Sequence, residues 1–485
     1  MKKHIENLKV KDKNIIKIEF FLSIFSIIWL FISSFPHNPS YKEMFIDSGI
    51  YAYIAQQINN GKILYKEVWD YKFPGIYYIY AFVFKIFPDS RWTLYFLDIF
   101  TNVTMLILIF LILRKFKFEN FFWIVSLLFI TTYRIYVCFS GGNLTEHFFI
   151  FFFLISLYLL LEKPTKIKDF ILGNCFIWLL MLKQPYCLIV FVLFLFFKNR
   201  IFKGEIRFFM SGCFISFAFF LYIFIRGFPE SIDTIVLPFY LIETAQFKKT
   251  NFSDLIGRLM DFNYRMRVIL FTGPGKQIFM MLVPVLFARD RVKVLFISLL
   301  ASIFFIYFFT FALYAHYILL LNIPIVIGCI ILIRNYLKKL IVLFFIVCSL
   351  SSFDLIKDRI FHFKRAFYEL VILKDKRIYV HPLVITVSKY IKSGETFFMI
   401  PDYCEVYFIT GTKSPWRFCG IGSNIASLYK NELIKLIREK PPNYFYLEIP
   451  IEEFEKIFEL KPDEYKLIYL ENNFYRFKIF KYNSS

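Results

Sequence analysis

The sequence predicts a multi-pass α-helical membrane protein, and three observations carry that prediction. The 485 residues are 58% hydrophobic and 22% aromatic with only 17 Gly and 18 Pro, more apolar than a soluble core requires. The apolar residues gather in runs divided by short Lys/Arg clusters, so the formal net charge of +21 reads as membrane orientation, with no nucleic acid as partner. From residue 356 onward the character changes to Asp, Glu, Asn and Pro with short β-type runs.

Lys2, Lys3, Lys9, Lys11, Lys13 and Lys17 place the N-terminus in the cytoplasm. They form too long and basic a leader, without a small-residue cleavage site, so the first apolar run, Ile18–Phe35, is expected to be a retained anchor. An outer loop over 36–90 follows. Within it Gly75–Phe87 is apolar but spans only roughly 20 Å as a helix, which suits an interfacial or re-entrant segment.

Arg91–Leu113 then runs inward to the Arg114-Lys115-Lys117 cluster, 120–139 outward, and 147–161 inward to Lys163, Lys166 and Lys168. Residues 170–182 and 186–197 make a short pair broken at Lys183-Gln184-Pro185, where proline removes a helix donor. Residues 208–225 run outward to a long outer loop over 226–267, and spans near 268–287, 294–313, 316–333 and 340–353 complete the set. The expected total is about 11 transmembrane helices with the C-terminus outside; counting Gly75–Phe87 as a span would put every later basic cluster on the wrong side.

Residues 1–355 are thus expected to form the membrane domain and 356–485 a small extracytoplasmic α/β domain. Its strands are expected at Thr396–Ile400, Val406–Thr410, Tyr444–Glu448 and Lys466–Leu470, with a helix near Leu428–Glu439. Of the eight cysteines, Cys138, Cys175, Cys187, Cys213, Cys329 and Cys348 lie in apolar runs and read as small hydrophobes. Cys404 and Cys419 are able to bond to one another if their region faces an oxidising compartment.

This threading gathers unusual polar residues on one side: Asp47, Lys72, Glu146, Lys183 and the pair His316-Tyr317. Ionisable groups at a helix centre cost about 2.5–3.5 kcal/mol on insertion scales, so chains seldom place them near spans without use. Each also has a plainer reading. Asp47 can cap a helix Ile50–Asn60, whose Ile50, Ile54 and Ile58 suit the bilayer surface. Lys72 and Lys183 can snorkel, Glu146 can be a solvated loop acid, His316 an interfacial histidine, and Asp70 with Lys72 a surface pair. The sequon Asn143-Leu144-Thr145 is too frequent a match to carry weight.

Asp47-Ser48-Gly49-Ile50-Tyr51, Gly61-Lys62-Ile63-Leu64-Tyr65 and Trp69-Asp70-Tyr71-Lys72-Phe73-Pro74-Gly75 together resemble the GT-C superfamily of polyprenyl-phosphate-sugar-dependent glycosyltransferases. The likeness is greatest to glycosyltransferase family 39, the protein O-mannosyltransferases and the lipid A aminoarabinose transferase. Lys-Phe-Pro stands where that family has Lys-Pro-Pro. Asn143-Leu144-Thr145-Glu146 resembles the family's second acidic loop, and Lys183-Gln184 and Ala315-His316-Tyr317 up to Pro324 resemble later positions more loosely.

The resemblance implies a general base at Asp47, a second acid at Glu146 that holds the acceptor, the base or an ion, and donor-phosphate binding by Lys72, Lys183, His316 and Tyr317. It implies a polyprenyl-phosphate sugar as donor, a glycan, lipid or protein as acceptor, and inversion at the anomeric carbon on the extracytoplasmic face of the plasma membrane. A divalent cation is conceivable, but Asp47 with Glu146 is too small a set to assign one. Two other classes compete: a flippase for a lipid-linked saccharide, which would be expected to show internal symmetry that is not evident here, and a polysaccharide polymerase or ligase with its chemistry in a late outer loop.

Overall fold

The structure is a computed structural model describing residues 24–41, 44, 46–133, 143–233, 273–290, 292–310, 319–336, 353–372, 382–400, 403–419, 429–447, 465–470 and 478–482. In chain order the first helices are α1 (24–34), α2 (Ile46–Asn59), α3 (Gly75–Ile86), α4 (Arg91–Lys115), α5 (Phe122–Tyr133), α6 (Thr145–Leu161), α7 (Lys166–Leu180), α8 (Cys187–Lys203) and α9 (Ile206–Arg226). Then come α10 (Gly273–Phe287), α11 (Val292–Thr310), α12 (Asn322–Asn335), α13 (Phe353–Phe367), α14 (Pro382–Tyr390), β1 (Phe397–Ile400), α15 (Glu405–Thr410), α16 (Lys430–Glu439), β2 (Tyr444–Leu447), β3 (Tyr465–Leu470) and β4 (Lys478–Tyr482). Two compact units divide the chain: one of residues 1–41, 95–219 and 240–377, the other of 42–94, 220–239 and 378–485.

The first unit is built of apolar helices. Among the described residues Arg91–Lys115, Gln184–Lys203 and Ile206–Arg226 are long and apolar enough to cross a bilayer, and Ile24–His37, Thr145–Leu161, Lys276–Phe287, Val292–Ile306 and Leu319–Asn335 are shorter apolar helices. Sparse polar side chains tie them together, as suits helices with little hydrophobic drive to associate in lipid. Trp29 Nε1 donates to Thr131 Oγ1 (3.2 Å), Ser126 Oγ to Ser26 Oγ (2.7 Å), and Arg359 to the Thr131 carbonyl (3.2 Å). Helices α7 and α9 approach backbone to backbone, since a Cβ on Gly173 would lie 2.1 Å from the Phe209 carbonyl oxygen and one on Gly212 equally close to that of Phe170.

Charged groups collect where α4, α6 and α8 end and α7 and α9 begin. Glu162 pairs with Lys115 and with Lys168 (3.0 Å), while Asp169 accepts from Arg200 (2.9 Å) and from the Glu205 amide (2.7 Å). The Lys115 and Lys168 hydrogen bonds outweigh burial and pull the Glu162 carboxyl down to about 2. Three basic clusters therefore share one end of the unit, with two of the described helices between each and the next. Of the last expected span, 340–353, all but the end lies outside the described residues.

In the second unit the sheet order is β1-β2-β4-β3, with β1 parallel to β2 and the other two pairings antiparallel. Strand β1 matches the expected Thr396–Ile400, and β2 and β3 their own expected runs, while β4 had no counterpart in the sequence reading. Val406–Thr410 is corrected from strand to helix. Its aromatic and β-branched residues favour a strand, but Glu405, Val406, Tyr407 and Phe408 are buried all round α15, and Gly411, at φ +71°, ends the turn in the left-handed region. Helix α2 begins four residues before the expected Ile50, with Asp47 in its first turn, and its Ile50 and Ile54 are buried in protein instead of facing a bilayer. Helix α3, 12 residues long, buries Ile76, Tyr77 and Tyr80; at about 18 Å it falls short of a bilayer core.

Candidate active site

The turn carrying Lys72 is built from the residues just before it. Tyr65 takes a positive φ of 72°, its amide donates to the Val68 carbonyl (2.6 Å), and the Glu67 carboxylate accepts from the Ile63 amide (2.8 Å). The chain then runs extended through Trp69, whose amide donates to the Arg417 carbonyl (2.7 Å) in a parallel bridge with Phe418. Past Trp69 the chain bends at Tyr71 and Lys72, and the bend brings the Lys72 side chain back to Asp70.

There Lys72 Nζ lies 3.3 Å from Asp47 Oδ1 and 3.4 Å from Asp70 Oδ2. It also lies over the rings of Tyr51 and Tyr71, at 5.1 and 4.7 Å from their centroids. Asp70 in turn accepts from Tyr77 Oη (2.6 Å) and from the Tyr71 amide (2.8 Å). The side chains of Lys72 and Asp70 are 5% and 8% exposed but that of Asp47 is 22%, so Asp47 is the member an outside molecule reaches. Burial alone would depress the Lys72 ammonium; Asp47 and then Asp70 outweigh it and hold the pKa well above the ordinary 10.5. Burial, and then the Asp70 charge, push the Tyr77 phenol up, so it stays a donor.

In the helical unit Glu146 stands in the first turn of α6, buried, and its Oε1 accepts from Lys183 Nζ (3.0 Å) and from Tyr186 Oη. Oε2 accepts from Thr145 Oγ1 (3.0 Å). The break at Pro185 puts Lys183 and Tyr186 at either side of a short 3₁₀ turn, both able to reach Glu146. The next residue, His147, meets Thr101 Oγ1 through Nε2 and has Nδ1 3.8 Å from Asp98 Oδ1.

Four of the expected site residues thus fall into two buried or half-buried ion pairs, Asp47 with Lys72 and Glu146 with Lys183. The plainer readings of these residues do not hold: neither lysine snorkels, Glu146 is no solvated loop acid, and Asp70 with Lys72 is no surface pair. His316 and Tyr317 lie outside the described residues. Asp70, Tyr77, Tyr186 and the Asp98–His147 contact add to the expected set; of these, only Asp70, two residues from Lys72, was open to discovery from sequence.

No family model matches the sequence, nor does any curated protein. Solved structures share the fold. ArnT from Cupriavidus metallidurans, in a crystal structure bound to undecaprenyl phosphate, superposes with a TM-score of 0.60 at 10% identity, over 96% of this chain and 98% of that one. The oligosaccharyltransferase of Archaeoglobus fulgidus, tethered to an acceptor peptide containing an NVT sequon, matches at a TM-score of 0.48 and 12% identity, over 96% of this chain and 74% of that one. At 10% identity the likeness to ArnT is one of fold.

Proposed function

We propose that this protein is an inverting glycosyltransferase that moves a sugar from a polyprenyl-phosphate donor to an acceptor hydroxyl on the extracytoplasmic face of the membrane. The observation that carries the reading is the Asp47–Lys72–Asp70 cluster: a reachable carboxylate beside a buried, permanently charged cation. It sits in a chain sharing its fold with ArnT, which was crystallised with undecaprenyl phosphate. A polyprenyl tail holds the donor in the bilayer at about 0.8 kcal/mol per buried CH₂, so an enzyme for it must combine a membrane body with a polar site.

The chemistry follows from the residues. As the bond between the anomeric carbon and phosphate oxygen breaks, the phosphate leaves with the electron pair. Lys72 meets that charge, with its ammonium exchanged from Asp47 to the phosphate; a preorganised donor of this kind typically contributes a few kcal/mol. Asp47, released from Lys72, takes the proton of the acceptor hydroxyl as its oxygen attacks the opposite face of the sugar. Asp70 and Tyr77 keep the lysine in place.

Glu146 acts as a second acid with Lys183 as its cation, and Lys183, His316 and Tyr317 remain candidates for the donor phosphate. Among the described residues no group of three or more His, Cys, Asp or Glu is suited to a metal.

Purified protein given polyprenyl-phosphate sugars and candidate acceptors should release free polyprenyl phosphate in step with product. Movement of the intact donor across vesicles with no release would assign a flippase instead.

A further inference from the structure

We infer that the Cys404–Cys419 disulfide is a positioning element for the Asp47–Lys72 cluster, tying the helix that carries Asp47 to the turn that carries Lys72. The inference rests on reading that cluster as the donor site. The sequence left the pairing of these cysteines open; in the structure they are bonded, with Cα atoms 5.7 Å apart across a separation of 15 residues.

Each end of the bridged segment holds one arm of the cluster. At the Cys404 end, Glu405 opens α15 against Gly49 of α2, two residues from Asp47. A Cβ on Gly49 would lie 2.8 Å from both Glu405 Cβ and the Glu405 amide nitrogen, so the two segments touch at backbone distance. At the Cys419 end, the Arg417 carbonyl accepts the Trp69 amide at 2.7 Å, and the Trp69 and Phe418 rings meet edge to face at 5.4 Å. Trp69 adjoins Asp70, two residues from Lys72. Arg417 is itself fixed by two hydrogen bonds to Glu432, at 2.9 and 2.8 Å.

Between the ends, the Ser414 amide donates to Tyr53 Oη (3.0 Å), and the Tyr53 and Tyr407 rings lie 5.0 Å apart, fastening the segment to α2 again. The disulfide thus closes a ring that runs from α2 through Glu405, Cys404, Cys419 and Arg417 to Trp69. With that ring open, the Ser414–Tyr53 bond and the Tyr51 ring beside Lys72 still link the two arms, but the brace from Glu405 to Arg417 is gone and the contact a phosphate must displace is held less firmly.

The test uses the full chain in lipid nanodiscs, oxidised, then reduced with dithiothreitol. Two electrons and two protons from the reagent convert the disulfide to two thiols, and the reagent closes to its own cyclic disulfide. Hydrogen exchange and the affinity for undecaprenyl phosphate alone are both read, and a Cys404→Ser, Cys419→Ser variant is compared.

Reduction should speed exchange about tenfold in 46–54 and in 65–73, beyond the bridged segment, and weaken undecaprenyl phosphate binding about tenfold, with both restored on reoxidation. Faster exchange confined to 404–419, or unaltered affinity despite reduction, would overturn the inference. Should the oxidised protein not bind undecaprenyl phosphate at all, the donor reading fails, and the spread or confinement of exchange alone then decides the tie. Should the serine variant fail to fold, reduction of the folded protein decides.

Discussion

Lys72 and Asp47, 25 residues apart in sequence, meet at 3.3 Å beside a third charged group, Asp70, that is almost wholly buried. One ammonium between two carboxylates leaves the cluster with an excess of negative charge. In the proposed reaction an anionic donor enters by taking the lysine away from Asp47. The same exchange would free the carboxylate, coupling donor binding to readiness of the base.

Asp47→Asn tests that coupling. Asparagine keeps an oxygen for Lys72 but cannot take a proton, so turnover should fall by about 10²–10⁴ while insertion and thermal unfolding stay close to wild type. Turnover like wild type, measured as release of polyprenyl phosphate, removes Asp47 from the chemistry.

Lys72 is expected to act on the donor. Lys72→Ala leaves two carboxylates without their cation, which costs about 3–5 kcal/mol of stability, so Lys72→Arg is the variant for kinetics. It should raise KM for the donor several-fold more than KM for the acceptor, and equal effects on both would make the lysine structural. The pH sign follows from the raised pKa in the folded protein. The stabilisation by Lys72 is fully present below the lysine's unfolded value and is lost only as pH rises through the higher folded one. Activity lost between about pH 7 and 10 should therefore be unchanged in shape by Lys72→Arg.

Much of this was legible in sequence where one physical signal dominates. Arg91–Leu113 became Arg91–Lys115, and 147–161 became Thr145–Leu161, because long apolar runs between basic clusters leave few alternatives. Val406–Thr410 misled because its side chains favour a strand while packing against α2 sets a helix. Strand β4 passes unnoticed because Lys478–Tyr482 is short, carries lysines at 478 and 481, and gains strand form only from its two neighbours. At the site, Asp47 and Lys72 stood out as charges near spans, yet their contact depends on a turn at Tyr65 whose positive φ no local pattern announces. Glu146 and Lys183 were visible singly, and their pairing was not.

For Glu146 the prediction concerns balance of charge. Lys183→Met should destabilise strongly, by about 3–5 kcal/mol, because a buried carboxylate loses its cation. Adding Glu146→Gln to Lys183→Met should recover much of that loss, since the amide needs no counter-charge. Thermal unfolding in one detergent reads both variants. A double variant no more stable than Lys183→Met would show that the pair is not what the lysine supports.

The α7–α9 crossing gives a packing test away from either pair. Gly173→Leu drives a side chain into the Phe209 carbonyl and should lower stability by more than about 3 kcal/mol, the upper range for overpacking. Ile171→Leu on the same helix lies at an exposed position and should change little. Equal stability of the two variants would mean that the helices do not approach as closely as the glycines allow.

Sidedness is the remaining prediction, and the ion pairs around Glu162 and Asp169 frame it. They gather Lys115, Lys168 and Arg200 at one end of the helical unit, so any orientation that puts one of these clusters in the cytoplasm puts all three there. The positive-inside rule favours that arrangement, with the turn at Lys183 on the far side. In a background without native cysteines, Lys163→Cys and Lys203→Cys should be shielded from an impermeant maleimide applied outside intact cells. Gly142→Cys and Asn431→Cys should react before the cells are opened. Labelling of Lys163→Cys from outside would invert the chain, placing the Glu146–Lys183 pair on the cytoplasmic side and removing the extracytoplasmic transferase reading.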